Sequence, residues 1–227
     1  MIDTLIVVAH PDDEILGCGA SGTVLTTFKK KVQPIILCGE VNARTQRPSS
    51  EDLFVDIKKA NLTAGFSEPV MGNFPNISMN TVPHIEIVQF IEKQIEKFQP
   101  LKVFTHHPGD LNDDHVQVSK ACQVAVRLFQ RRLDLRPINE LYFMEILSST
   151  EWSFETGSNA FQPNTFIEIG EDGLNKKIKA LKCYRRVIRD FPHPRSIKVL
   201  RSLAAYRGAQ ANYNYAEAFQ LVFKRGI

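Results

Sequence analysis

The chain has 227 residues, 43% of them hydrophobic and 23% charged, proportions that exclude a disordered or fibrous protein and suit a globular one able to bury its own core. A net charge of +3, with no dense Lys/Arg run, argues against nucleic acid as a partner. Cys18, Cys38, Cys122 and Cys183 are scattered without a C-x-x-C pair and read as small buried hydrophobes.

The chain opens on an apolar, β-branched run at residues 4–9, which predicts a buried strand of a parallel sheet. No basic stretch precedes this run, and it is too short for a signal peptide or a membrane span. The expectation is a cytoplasmic protein with reduced thiols and no transmembrane segment. His10-Pro11-Asp12-Asp13-Glu14 follows, and residues 15–27 read as a helix opened by acidic side chains. A second strand is predicted at 32–37, with Pro34 near its start, and a helix capped by Ser50-Glu51-Asp52 that runs to about Ala64 and is ended by Gly65. Pro83 opens a helix through about Phe98, and residues 101–105 form a third strand. A polar loop leads to an amphipathic helix from about Asp114 to Arg131. Strands at 141–147, 166–169 and 218–223 and helices at 174–189 and 196–207 complete the series.

Strands alternating with helices of this length imply right-handed crossovers. The predicted fold is α/β: a single Rossmann-like domain over residues 1–227, with a mainly parallel sheet and helices on both faces. Neither an internal repeat nor a low-complexity tract interrupts it. No G-x-G-x-x-G follows the first strand, and Gly17-Cys18-Gly19 lies inside the first helix, so ordinary dinucleotide binding is disfavoured.

In open α/β sheets ligands gather beyond the carboxyl ends of the strands. Two predicted loops reach that edge loaded with metal-type side chains: His10 to Glu14, and His106-His107-Pro108-Gly109-Asp110-Leu111-Asn112-Asp113-Asp114-His115. His10 and Asp13 are three apart, so one turn can point both the same way, and His115 can complete a two-His, one-carboxylate set. Three protein ligands leave a position for water, the pattern of catalytic zinc, although ferrous iron accepts the same set. Asp12 beside them can accept a proton from an acidified water. Each residue alone has a plainer reading: Asp12 or Asp13 as a helix cap, His10, His106 and His107 as loop histidines. Their combination on two loops of one edge is harder to explain that way.

His-Pro-Asp-Asp-Glu directly after the first strand, with a later Asp-His opening a helix, resembles the PIG-L/LmbE family of N-acetylglucosamine de-N-acetylases. The likeness runs from Ile6 to about Phe223. Ser148-Ser149-Thr150-Glu151-Trp152, Phe191-Pro192-His193-Pro194-Arg195-Ser196 and Tyr206-Arg207-Gly208 are similar to a bacterial branch of it. The resemblance implies that His10, Asp13 and His115 hold zinc, that Asp12 is the general base, and that Asp114 hydrogen-bonds within the site. The implied reaction is attack of water on an acetamide carbonyl, releasing acetate and an amine.

One departure matters. Many members have His-Pro-Asp-His where this chain has Asn112-Asp113-Asp114-His115, and Asn112 can donate a hydrogen bond but not a proton near neutral pH. Either Asp12 acts twice or another group, for which His193 is the candidate, protonates the amine. Arg195 is a candidate for a substrate phosphate or carboxylate, or for a salt bridge. Asn76 stands where relatives often carry an Asp that contacts sugar hydroxyls, and Arg44 and Arg47 lie in a polar loop able to reach substrate. The leading expectation is a zinc-dependent deacetylase acting on a small-molecule N-acetyl sugar or sugar conjugate. The alternatives are an amidase for another acylated amine and a non-catalytic sugar-binding protein. Homo-oligomerisation stays open.

Overall fold

The first apolar run forms strand β1 (Thr4–Val8), buried at every position as befits the middle of a parallel sheet. This computed structural model describes residues 2–39, 48–154 and 160–226. The later strands are β2 (Val32–Ile36), β3 (Val70–Met71), β4 (Lys102–His106), β5 (Glu140–Met144), β6 (Thr165–Glu168) and β7 (Ala216–Lys224). One sheet contains them in the order β3-β2-β1-β4-β5-β7-β6. The first five in that order are parallel, and β7 runs antiparallel to β5 and β6. Proline is tolerated inside β2 for a local reason. Leu37 N donates to Val8 O, so odd positions of β2 face β1, and Pro34 turns its missing N–H toward β3, where pairing begins only at Ile35.

Among the described residues, six helices cover the sheet: α1 (Asp13–Thr27), α2 (Ser50–Ala64), α3 (His84–Phe98), α4 (Asp113–Ala125), α5 (Gly170–Cys183) and α6 (Ile197–Gln210). Alternate strand residues point to opposite layers. Ile6 and Val8 pack with Ile15, Ile57, Leu181 and Leu200 from α1, α2, α5 and α6. Leu5 and Val7 pack with Ile87, Ile91, Val118 and Cys122 from α3 and α4. The α/β architecture expected from the sequence is therefore present, with the C-terminal part of the sheet antiparallel.

Several boundaries differ from the sequence reading. The two-residue β3 had no counterpart there. The α-helical part of α4 stops at Ala125, and a 3-10 turn at Leu128–Gln130 replaces its expected end. Helix α5 begins at Gly170 and ends at Cys183, because Tyr184 turns extended (ψ 115) and its hydroxyl reaches Glu14. By contrast, Gly65 adopts φ 80 and stops α2 as the sequence predicts, while the cap falls one residue before the expected Ser50-Glu51-Asp52, on Ser49, whose Oγ accepts Asp52 N at 3.1 Å.

Helix α1 is broken at Cys18 (φ −139, ψ 16), and a buried ion pair joins the two parts. Lys177 Nζ donates to Leu16 O and to Glu217 Oε1, both at 2.6 Å. The Glu217 carboxylate in turn accepts Ala20 N at 3.2 Å and Ser21 N at 2.7 Å. Carbonyl and amide groups that the break would orphan are thereby satisfied. Among the described residues, no helix is long and apolar enough to cross a membrane.

Candidate active site

Strand order reverses at β1, with β2 on one side and β4 on the other, and the loops leaving β1 and β4 meet beyond their carboxyl ends. The chain departs β1 through Ala9, whose N–H donates to His106 Nε2 at 2.8 Å. His10 N then donates to Asp13 Oδ2 at 3.0 Å, closing the loop on itself. Asp12, at the cap of α1, is held at φ 94, a left-handed conformation uncommon outside glycine. Glu14 secures it from below: Asp12 N donates to Glu14 Oε2 at 3.1 Å, while Asn61 Nδ2 (3.0 Å) and the Tyr184 hydroxyl donate to Oε1. Burial pushes the Glu14 carboxyl up to about 8 against those donors.

Three atoms converge at the floor of this edge. His10 Nδ1 lies 3.3 Å from His115 Nε2 and 3.4 Å from Asp13 Oδ2, and His115 Nε2 lies 3.2 Å from Asp13 Oδ2. Ligands about 2.0–2.1 Å from a tetrahedral zinc stand roughly 3.3 Å apart, so the spacing suits such an ion. The outer nitrogen of each ring stands beside a carboxylate. His10 Nε2 meets Asp114 Oδ2 at 2.8 Å, and His115 Nδ1 faces Asp110 Oδ2 at 3.2 Å. That leaves Nδ1 of His10 and Nε2 of His115 directed at Asp13, an arrangement of acceptors that calls for a cation. The protonation preferences agree. Burial alone would lower His115, but the Asp13 and Asp110 carboxylates override it and push it up to about 10. Burial opposes the ionisation of Asp13, yet His115 and His10 hold it well below the usual carboxylate range.

Asp110 and Asp114 are themselves fixed. Asp114 accepts Met79 N on Oδ1 (2.9 Å) and Ile77 N on Oδ2 (2.6 Å). Asp110 accepts Asn112 N (2.9 Å), Thr150 Oγ1 (2.7 Å) and the Ser149 hydroxyl, which ties the second motif to the segment after β5. Asp110 and Glu14 have supporting roles that the sequence alone does not signal. Beyond the local contacts with Asp12 N, Asn112 N and His115, their partners lie 39 to 170 residues away, where no local spacing signals them.

An open cavity of about 200 Å³ stands over the cluster, lined by His10, Asp12, Asp13, Asn76, Ile77, Asn112, His115, Ser148, Ser149 and Arg195. Ile77 (φ 55) and Ser148 (φ 70) join Asp12 as left-handed residues in its wall. Asn112 caps α4, its Oδ1 accepting Asp114 N at 3.0 Å, and its NH2 is the donor it can offer a ligand in the cavity. Arg195, also in the cavity wall, contacts Asp12 Oδ2 through Nη1 at 3.2 Å and donates from Nε to Ser148 Oγ at 2.7 Å. His193 is exposed, is not among the lining residues, and accepts Arg195 N on Nδ1 at 3.0 Å. Arg44 and Arg47 lie outside the described residues. His107 is buried edge-on against Phe143 and Phe161 and accepts Gly109 N, away from the cluster. His106 is fully buried and stacked on His115; burial, with the neighbouring His115, pushes its pKa down to about 3.

A protein-family profile described as PIG-L: GlcNAc-PI de-N-acetylase matches residues 5–126. The chain is 25% identical over 194 residues to the uncharacterized deacetylase YaiS of Escherichia coli K12, covering 80% of this chain and 89% of YaiS. Its fold is similar to the conserved protein TT1542 of Thermus thermophilus (TM-score 0.82, 21% identity, 100% of this chain and 97% of that one). It is also similar to N,N'-diacetylchitobiose deacetylase of Pyrococcus horikoshii (0.77, 19%, 97% and 83%). The hydratase GalB of Pseudomonas putida KT2440, named for 4-carboxy-2-hydroxymuconate, has the same fold (0.79, 19%, 100% and 98%). Structural likeness at these identities establishes architecture and leaves the reaction to the site.

Proposed function

The chain belongs to the PIG-L family, and from that premise we propose that it is a zinc-dependent hydrolase that removes the acetyl group from an N-acetylated sugar or sugar conjugate. The observation that carries this reading is the triangle of His10 Nδ1, Asp13 Oδ2 and His115 Nε2, 3.2–3.4 Å apart, with Asp12 beside it in an open cavity. We assign the three as metal ligands; zinc suits the set, and ferrous iron is the other ion it accepts. A divalent ion held there supplies a Lewis acid for the amide carbonyl and lowers the pKa of a water to about 7.

Asp12 takes a proton from the attacking water as the new C–O bond forms at the acetamide carbon. The same carboxyl returns that proton to the nitrogen as the C–N bond breaks, giving acetate and a free amine. This double role follows because Asn112 has no proton to give near neutral pH. His193, on the solvent side, receives no step in this scheme. The Asn112 NH2 donates to the carbonyl oxygen as negative charge develops on it. Asp114 keeps His10 oriented, Arg195 steadies Asp12, and Asn76 on the cavity wall serves a sugar hydroxyl.

The test is acetate release by the zinc-loaded protein from a panel of free, nucleotide-linked and lipid-linked N-acetyl sugars. At least one should react, and Asp12→Asn should keep its zinc while losing release. Acetate from non-sugar amides alone overturns the sugar assignment; undiminished turnover in Asp12→Asn overturns the role of Asp12.

A further inference from the structure

We propose that His106 is a positioning residue of the metal centre, a single imidazole that fixes all three ligands without binding the ion. The inference rests on the metal reading above and concerns a residue outside that ligand set. His106 ends β4 and is completely buried. Its Nε2 accepts the N–H of Ala9 at 2.8 Å, and Ala9 is the residue before His10, so this bond sets where β1 releases the first ligand. Its ring lies 3.8 Å from that of His115 at an interplanar angle of 14°, a parallel stack that limits rotation of the third ligand about its side chain. The same Nε2 stands 3.7 Å from Asp13 Oδ2, walling the second ligand on one side.

His106 has the chemistry of a ligand but not the opportunity to act as one. A hydrogen bond from Ala9 occupies the lone pair of Nε2, which puts the ring's proton on Nδ1 and leaves neither nitrogen able to coordinate. With His106 kept off the ion, a metal held by His10, Asp13 and His115 would keep a position for water and substrate. Two contacts share the work and can be separated by mutation. His106→Phe keeps a flat ring against His115 but strands the Ala9 N–H; His106→Gln offers an acceptor to Ala9 but removes the stack.

The experiment measures zinc affinity of the whole metal-free chain by competition with a chromophoric chelator, alongside circular dichroism and urea unfolding to establish that each variant folds. Each folded variant should bind zinc about 10–100-fold more weakly than wild type, the loss typical of outer-sphere partners. Wild-type affinity in either variant overturns the proposal and leaves the metal reading intact. A wild-type chain without zinc affinity overturns both. Should the variants not fold, nitrogen-15 NMR of the wild-type histidines decides. His106 should remain the Nδ1–H tautomer as zinc is added, and a zinc-induced shift of its Nε2 into the range of a coordinated nitrogen overturns the proposal.

Discussion

Asp114 and His10 meet at 2.8 Å, carboxylate oxygen to Nε2, and this contact decides which nitrogen of His10 faces the cluster. Both oxygens of Asp114 already accept backbone N–H groups, from Met79 and from Ile77. An amide in its place must set its NH2 against one of those donors. Asp114→Asn is therefore expected to weaken zinc binding by roughly 10–100-fold, read by chelator competition. Wild-type affinity would remove Asp114 from the set of groups that orient the site.

Zinc binding should depend on pH through His115. Its folded pKa is raised to about 10 against an ordinary 6.5, so in the metal-free chain its proton stabilises the fold fully below pH 6.5 and that contribution is lost between pH 6.5 and about 10. Zinc bound at the proposed ligands would have to displace this proton. Apparent affinity is accordingly expected to rise about tenfold per pH unit across that window for each proton released. Isothermal titration in buffers of different ionisation enthalpy counts the protons; a count of zero at pH 7.5 contradicts the assignment.

Arg195 reaches Asp12 from the loop before α6 and is anchored on Ser148. Removing it leaves Asp12, the proposed base, without one of its fixed neighbours, and misplacement by an ångström can cost about 100-fold in rate. Arg195→Ala is expected to lower turnover by roughly 10–100-fold with zinc stoichiometry unchanged. A rise in KM with undiminished kcat would instead give Arg195 to the substrate.

The pair of Lys177 and Glu217 holds the break in α1 from within the core. Lys177→Met alone strands a buried carboxylate and is expected to cost about 3–5 kcal/mol of stability in urea unfolding, with Lys177→Met/Glu217→Gln costing less than the sum of the two single changes. Strict additivity would mean that the two groups act independently.

Much of this fold is legible in the chain because its strands are continuous apolar runs and its helices carry caps. Ser49 and Gly65 set both ends of α2, and the run from Thr4 onward becomes β1. A strand of two residues such as Val70–Met71 has too few positions to show a period, and the Gly170-Glu171-Asp172-Gly173 start of α5 resembles a loop because glycine is a poor helix former. At the site, residues in the two motifs stand out by type and spacing. Their supports do not: Tyr184, Asn61 and Thr150 become partners of Glu14 and Asp110 only through tertiary packing.

The left-handed backbone at Asp12 sets fold and chemistry against each other at one position. A side chain there costs up to roughly 1–2 kcal/mol that glycine would not, and the N–H gripped by Glu14 belongs to the main chain, so it survives any replacement but proline. A library at position 12 sorted for heat resistance alone should enrich Asp12→Gly, while one sorted for acetate release should return aspartate. A stabilisation campaign that ignores turnover would thus arrive at a sturdier, inert protein.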